Sequence, residues 1–526
     1  MGEIEKGGNQ EEQRPHWNYF APAARMAGAS ATAKTRMSAT VARAALEPKK
    51  KTGLALWMER VLEECDRASL QFGADPVHDL RVALRRCRSV ADGLLVMDPN
   101  PAWKEMKKAG RQLFRDLGEL RDVHVMEEWV GRLGNPDDPV TNTLLQVLAS
   151  REAESKQRAA LALQEFDRKQ WRRWSTSLPR RAARIRTGTL LFKHLALERW
   201  TEAYELHHRA LRNRSQVAFH RLRIGLKRFR YIVENFLPEQ HAAWSGDLKE
   251  LQDSLGEVHD LDVLWATAIQ VDAFPDPDSR AKWHSRIVEE RTRRIDKYRV
   301  RMVGKSSLWH VWREQLPVGK QIEAAALSRL KLWASFLDPD FKHSIHVGRL
   351  ALQLYDGLPL KASPSDPADQ RTILHAAALL HDVGLSKHEK GHHKATYSLI
   401  RRLRPPLGWN AERMRWVGIV ARYHRGALPR AGQKTLLGLG PERQSLLRLA
   451  AVLRLANAFD SERNSRIQRL EVHTQKGFLE IAAQGYSSRD DMAEDVAAAR
   501  HLLETIYRQP VIVKPLRPKP TPKGRS

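Results

Sequence analysis

Residues 77–90 read VHDLRVALRRCRSV, and wound as a helix this string separates into two faces. His78, Arg81, Arg85 and Arg88 follow one another at steps of 3, 4 and 3, so they share one side. Leu80, Leu84, Cys87 and Ala91 step 4, 3 and 4 and form an apolar stripe of their own. Like charges one helical turn apart repel by about 0.2–0.5 kcal/mol per pair, and solvated basic helices usually intersperse acids to relieve this. No acid stands in this row. A helix that keeps its cations together at such a cost predicts an anion supplied from outside.

The pattern occurs twice. In AFHRLRIGLKRFRYIV (218–233), His220, Arg223, Lys227 and Arg230 repeat the 3, 4, 3 steps, and Leu222, Leu226, Phe229 and Val233 repeat the apolar 4, 3, 4. A second echo follows, with LGELRDVHVMEEW (117–129) returning as LGEVHDLDVLWAT (255–267), which aligns Asp122 with Asp260. The simplest account is a helical unit present in two copies, each opening with the charged helix. Lys104, Lys108, Arg111 and Arg115 add a further basic row in the first copy, and Lys249 stands at the place of Arg111 in the second.

Outward from these helices, residues 52–315 carry 3 and 4 spacing almost throughout. Breaks fall at GADP (73–76), MDPNPA (97–102), GNPDDPV (134–140), FLPEQ (236–240) and DAFPDPDS (272–279). From about 320 helices continue, and near the end RLEVHTQ and GFLEIAAQ read as two short strands joined at Lys476-Gly477, followed by a helix and a short VIVK strand. The expected fold is mainly α, a duplicated four-helix-bundle domain followed by an all-helical domain with a small β-hairpin appendix. The expected divisions are a flexible arm over 1–48, a helical domain over 50–315 with repeats of about 50–175 and 190–315, a second domain over 320–515, and a basic Pro-rich tail over 516–526.

The chain has 526 residues, 42% of them apolar, enough to bury a sizeable core. Its net charge of +27 points to anionic partners, but both halves carry the excess, so charge alone does not locate the site. Cys65 and Cys87 have no metal spacing and read as buried thiols of a reducing compartment. No apolar run reaches the ~18–20 residues of a membrane span and no signal peptide is visible, so the expectation is a cytoplasmic protein without membrane contact.

Rows of arginine suit a polymer of phosphates, because each planar guanidinium takes two oxygens at once. Single-stranded nucleic acid is the rival, but it favours aromatic residues among the cations for base stacking. The rows offer only Phe229 and Tyr231, and Phe229 belongs to the apolar face. Inorganic polyphosphate is therefore the preferred partner, a nucleic-acid-associated scaffold the less favoured one. The signatures H-x-x-R-V-x-x-R-R-x-R and H-x-L-R-x-x-x-K-R-x-R-Y, each followed by LG-x-x-R/H-D, resemble the CHAD domain (conserved histidine α-helical domain) over about residues 50–315. The resemblance implies two four-helix bundles around a basic cavity that binds polyphosphate. Its contacts would be His78, Arg81, Arg85, Arg88, His220, Arg223, Lys227 and Arg230, with Arg86, Arg228, Arg111 and Lys249 next. No nucleophile or base pair in this half marks a catalytic residue.

In the second half, LLHDVG places His381 beside Asp382 at a helix end. His343 lies upstream, His392-His393 and His424 downstream, and LRLANAFD ends at Asp460. Imidazole with carboxylate is a ligand mix for a catalytic divalent ion that activates water and holds a phosphate oxygen. Together these residues resemble the HD superfamily of metal-dependent phosphohydrolases. More narrowly, residues 320–515 resemble the C-terminal region of the exopolyphosphatase / guanosine pentaphosphatase family. The resemblance implies His343, His381 and Asp382 as ligands of Mn²⁺ or Mg²⁺, with no nucleotide cofactor. The family's fourth ligand is an aspartate, but Asn457 stands there. An amide brings an oxygen without charge, which a hard cation holds less well, and Asp460 one turn on is a candidate substitute. The family's H-H-K-H also ends here in Ala395. An active phosphohydrolase and a degenerate domain kept for binding are both open on this reading. In those polyphosphatases hydrolysis resides largely in an N-terminal actin-like domain with Gly-rich phosphate loops. None is present in this chain, so no active site of that type is expected. His346, His375 and His388 read as surface or satisfied helix histidines.

Overall fold

The computed structural model describes residues 53–70, 72–359, 366–430 and 432–516. The expected arm over 1–48 and, apart from Leu516, the expected tail lie outside the described residues. Helix α1 (Gly53–Leu70) leads into α2 (Ala74–Leu94), which carries the opening stretch. Its apolar stripe, Leu80, Leu84, Cys87 and Ala91, is closed to solvent, each leucine contributing about 1.5–3 kcal/mol by its burial. Next come α3 (Ala102–Ala109), α4 (Arg111–Leu133), α5 (Pro139–Gln164) and α6 (Arg168–Ala182). The second copy is α7 (Leu190–Asn213), α8 (Gln216–Phe236), α9 (Pro238–Gln270), α10 (Pro277–Met302) and the short α11 (Leu308–Glu314). In α8 the matching stripe, Leu222, Leu226, Phe229 and Val233, is equally buried.

All five anticipated breaks separate helices. The same device restarts the chain in both copies: Asp138 accepts from the Val140 N–H just before α5, and Asp276 from the Ser279 N–H before α10, each with proline at the first helical position. The copies differ at one place. The first stops at Gly110 between α3 and α4, whereas α9 runs unbroken through the equivalent region. The basic row from Lys104 to Arg115 is therefore split over two helices.

α2 and α8 pack against each other. A Cβ on Gly93 would lie 2.3 Å from the Phe236 ring, so only glycine lets the two helices close to this distance. Asn235 donates to the Ser89 hydroxyl across the seam at 3.0 Å, and Arg86 pairs with Glu234. One apolar core joins both copies around these helices, and a second one, from Val123 to Ile287, fills the far ends of α4, α5, α9 and α10. Cys65 and Cys87 lie buried in the first, as free thiols.

The second half comprises α12 (Lys320–Ser335), α13 (Phe341–Gly357), α14 (Pro367–Leu380), α15 (His392–Arg402), α16 (Ala411–Arg422), α17 (Glu442–Ala458) and α18 (Met492–Tyr507). The hairpin forms as read, with β1 (Leu470–Gln475) antiparallel to β2 (Phe478–Ala483) and Leu470 opposite Ala483. It is not an isolated appendix: β3 (Val511–Pro515) lies parallel to β2, with Leu479 opposite Val511, so α18 crosses over between two strands of one sheet. Leu479, Ile481 and Ala483 bury against Val496, Leu502 and Leu503 within a core shared by the whole second half.

The two halves meet through apolar contacts, with Ile322, Leu332, Phe336 and Leu407 against the core of the first half, and through polar ones. Arg329 of α12 and Glu198 of α7 form a buried pair at 3.1 Å, and Arg404 reaches Glu198 at 3.3 Å and Glu202 at 2.9 Å. The His194 ring contacts the Leu407 carbonyl at 3.0 Å, and Arg181 and Arg184 lie 4.9 and 4.4 Å from the Phe336 ring. Among the described residues no helix is long and apolar enough to cross a membrane.

Candidate functional site

The packing of α2 on α8 brings the two basic rows to one seam. Lys227 of α8 is lowered to about 8, first by burial and then by Arg223 of its own helix and by Arg85 and Arg81 of α2. Cations that share one helix face repel locally; here the repulsion also crosses between helices. Tyr231 lies in the field of Arg85, Arg230 and Arg86. Burial depresses Arg81 and Arg88, and Arg111 at the start of α4 adds its charge to Arg88.

The rows are held by specific contacts. Arg81 and Arg88 each lie 5.1 Å from the Phe114 ring; Arg81 Nη1 donates weakly to the Phe114 carbonyl at 3.5 Å, and Arg88 Nη1 donates to the Lys107 carbonyl at 2.8 Å. Gly118 of α4 makes room for the first of these: a Cβ there would stand 2.5 Å from Arg81 Nη1. His78 is exposed near the start of α2, and Arg228 is exposed on α8. Two predicted members are placed otherwise. Arg86 is engaged by Glu234 and lies 5.4 Å from the Trp57 ring, so much of its charge is spent joining helices. Lys249 lines a groove of about 540 Å³ between α9 and α10 together with Arg293, Arg294 and Lys297, where Glu250 pairs with Lys297 and Glu257 with Arg294.

Sequence reasoning assigned no role to the acids of the second echo. Asp122 of α4 feels Arg81 and Arg223, and Asp260 of α9 feels Arg223, Asp122 and Arg121, so the two carboxylates sit near each other under the basic rows. Burial raises both, Asp260 to about 6. Beside them His259 Nδ1 lies 3.3 Å from His220 Nδ1, and burial together with Arg223 and His220 holds His259 down to about 4. The signal was present in the sequence as the aligned pair Asp122 and Asp260; which surface it faced was not.

The second cluster lies where helix ends of the C-terminal half converge. His343 comes from α13, His381 and Asp382 from the end of α14, His392 from the start of α15 and His424 from just beyond α16. Candidate ligand atoms of His343, His381 and Asp382 lie within 4.8 Å of one another, as do those of Asp382, His392 and His424. One rule orients all four rings. Each Nδ1 contacts an oxygen that can only accept: His343 the Asp460 carboxylate at 2.7 Å, His381 the Ala378 carbonyl at 2.7 Å, His392 the Glu389 carbonyl at 2.9 Å and His424 the Ala421 carbonyl at 2.7 Å. The Nδ1–H groups donate outward, so all four Nε2 atoms face the cup, the orientation of a metal-ligating histidine; His392 is raised by Asp382, to which its Nε2–H donates at 3.2 Å, whereas burial lowers His381 and His424. His381 Nε2 is buried without a hydrogen-bond partner.

The charges fit a divalent ion poorly. Asp460 is a second-row group: Oδ2 holds His343 and Oδ1 accepts the Ser465 N–H at 2.8 Å, so it orients a ring and does not replace the missing carboxylate. Asn457 Oδ1 is placed 3.1 Å from His343 Nε2. The amide oxygen faces that ring nitrogen without the charge an aspartate would bring. Arg463 then donates to Asp382 Oδ2 at 2.6 Å and reaches Asp340 at 3.2 Å, from a backbone held in the left-handed region at φ 55°. Burial alone would raise Asp382; His381, His392, His424 and Arg463 overcome it and hold the carboxyl far below its usual range. The imidazoles fit a metal, but a guanidinium already occupies the carboxylate and the fourth ligand is neutral. Nothing in the sequence marked Arg463, because its partner Asp382 is 81 residues away.

Comparison with known families follows this division. Residues 57–268 match the family model of the CHAD domain, and residues 330–490 match that of Ppx/GppA phosphatase, domain III. The chain thus carries a CHAD domain followed by a Ppx/GppA domain III. No curated protein matches the chain.

Proposed function

We propose that this chain, a CHAD domain joined to a Ppx/GppA domain III, binds inorganic polyphosphate along the α2–α8 seam and uses its C-terminal half as an HD-type phosphate-docking module. The observation that carries the reading is the meeting of the rows where α2 packs on α8: Lys227 of one copy, lowered first by burial, also feels Arg85 and Arg81 of the other. A seam of half-buried cations is under electrostatic stress when empty. A chain of phosphates relieves it, and arginine forks bind successive oxygens by charge-assisted hydrogen bonds of about 1.5–3 kcal/mol each. His78 and His220 lie at the same end of their rows and donate to phosphate in either protonation state. The floor acids keep the trough from closing on every passing anion, since only a polymer supplying several charges outweighs them.

The test is calorimetric titration of the full chain with polyphosphate of defined length at several salt concentrations. Binding should weaken steeply with salt, and Arg81→Glu or Arg223→Glu should each lower affinity at least about 100-fold, or about 2.7 kcal/mol. An unchanged affinity in both variants refutes the reading. Displacement of polyphosphate by RNA or DNA at equal phosphate concentration would favour a nucleic-acid partner instead.

A second reading, a metal-dependent phosphohydrolase, draws on the four convergent Nε2 atoms. It places His343, His381 and Asp382 around Mn²⁺ or Mg²⁺, which when bound would activate water. It predicts stoichiometric metal in the purified protein and phosphate release abolished by chelation. If metal is absent and Asn457→Asp restores both, the site is degenerate.

A further inference from the structure

We propose that the cup of the C-terminal half is an anion pocket that works without a divalent ion: Arg463 stands in for the metal on Asp382, and Arg425, Arg454 and Arg463 receive the end of a phosphate chain. This rests on the docking reading given above and specifies its ligand.

The inner charges balance without an ion. Arg463 pairs with Asp382, Asp460 is taken by His343 and Ser465, Asp338 near His381 accepts from Ser344 and is raised by burial, and Asn457 is neutral. A divalent ion would enter beside a guanidinium, or Arg463 would have to leave a buried carboxylate that is uncompensated without it. An aspartate at 457 would add the charge that makes a metal necessary; an asparagine there, its oxygen 3.1 Å from His343 Nε2, brings no such charge.

Above this floor a pocket of about 350 Å³ opens, with Arg425, Arg454 and Arg463 in its wall and Asp495 as the opposing acid. Arg454 carries the inference furthest. It lies one turn before Asn457 on α17, its Nη1 is buried without a hydrogen-bond partner, and burial alone lowers its affinity for the proton with no acid near enough to offset it. An unsatisfied buried guanidinium N–H is costly unless a ligand answers it. Arg425 adds an exposed cation at the rim. Arg425 and Arg454 offer planar forks to the oxygens of a terminal phosphoryl group, while Arg463, held by Asp382 and Asp340, adds its positive charge at the opening. The volume sits at the low end of small-ligand pockets, ~300–1,000 Å³, enough for a few phosphate units and not for a polymer coil. The shared chemistry is a phosphate chain end, from polyphosphate or from a nucleoside triphosphate. The lining holds no Phe, Tyr or Trp on which a base could stack, and its His343 and His424 rings are tied by Nδ1 to Asp460 and the Ala421 carbonyl, so the polymer end is the ligand assigned.

The experiment uses the full chain carrying Arg81→Glu and Arg223→Glu, which silences the seam, titrated with inorganic tripolyphosphate in EDTA. One site should remain, and Arg454→Gln should weaken it at least tenfold, with Arg454→Lys recovering part of the loss. Separately, Mn²⁺ titration of the otherwise unaltered chain should show no tight site, and Arg463→Gln together with Asn457→Asp should create one. Tripolyphosphate binding that requires Mn²⁺, that ignores Arg454→Gln, or that is weaker than binding of a nucleoside triphosphate would overturn the proposal, as would tight Mn²⁺ binding with Arg463 and Asn457 in place. Failure of the seam shows elsewhere, in long-chain polyphosphate affinity that Arg81→Glu and Arg223→Glu leave unchanged.

Discussion

Asp260 is the residue whose removal separates the electrostatics of the seam most cleanly from its packing. Burial pushes its carboxyl up to about 6 from the ordinary 3.8, Asp122 and Glu257 add to this, and Arg223 and Arg121 oppose it. An acid raised on folding binds more protons in the folded state between those two values. Stability therefore falls as pH climbs from about 4 to about 6, and the deficit persists at pH 7. A rise of about two pH units, at about 1.4 kcal/mol each, sets a ceiling near 3 kcal/mol. Water and salt reaching a part-exposed carboxylate reduce this to about 1–2 kcal/mol. Asp260→Asn should accordingly stabilise the chain by about 1–2 kcal/mol at pH 7 in urea unfolding, change nothing at pH 4, and flatten the slope between them by that amount. The same substitution takes a negative charge from under the cations, so polyphosphate affinity at pH 7 should rise about 3- to 10-fold, or about 0.7–1.4 kcal/mol. The unaltered chain should gain that affinity by itself on acidification from pH 7 to 5. A variant that is no more stable at pH 7, keeps the pH slope and binds polyphosphate no better would remove Asp260, and with it Asp122, from the account of the seam.

Lys227 gives the opposite signs. Because its folded value is lowered to about 8, the free chain should become more stable as pH rises from 8 toward 10.5, while polyphosphate binding weakens over pH 7–9; Lys227→Arg should flatten the binding curve. Gly118→Ala should stabilise α4 by up to about 1 kcal/mol through helix propensity, yet its Cβ displaces the Arg81 guanidinium, so affinity should fall about 3- to 10-fold while the thermal midpoint does not drop; a loss of both would mean the helix moved instead. Arg329→Met should cost about 2–4 kcal/mol by leaving Glu198 short of its buried partner, less if Arg404 fills in, and calorimetry should then resolve two melting transitions where the intact interface gives one.

Much of this protein was legible in one dimension. The apolar 4, 3, 4 stripes became buried helix faces because helical periodicity alone dictates which side chains share a side. The Pro- and Asp-rich breaks ended helices because proline removes a donor and aspartate caps the next start. The duplication and the hairpin were equally local signals. What a face meets is a different matter. That Arg85 of one copy presses on Lys227 of the other, that Asp122 and Asp260 share a floor, that Arg86 is taken by Glu234, and that β3 returns beside β2 depend on contacts between distant parts of the chain. The cup shows the limit best. The histidines, Asp382 and the neutral Asn457 could be read in order. The balance of charge among them was decided by a guanidinium that reaches in from a loop, and a Coulomb interaction is set by distance in space, which spacing along the chain does not contain.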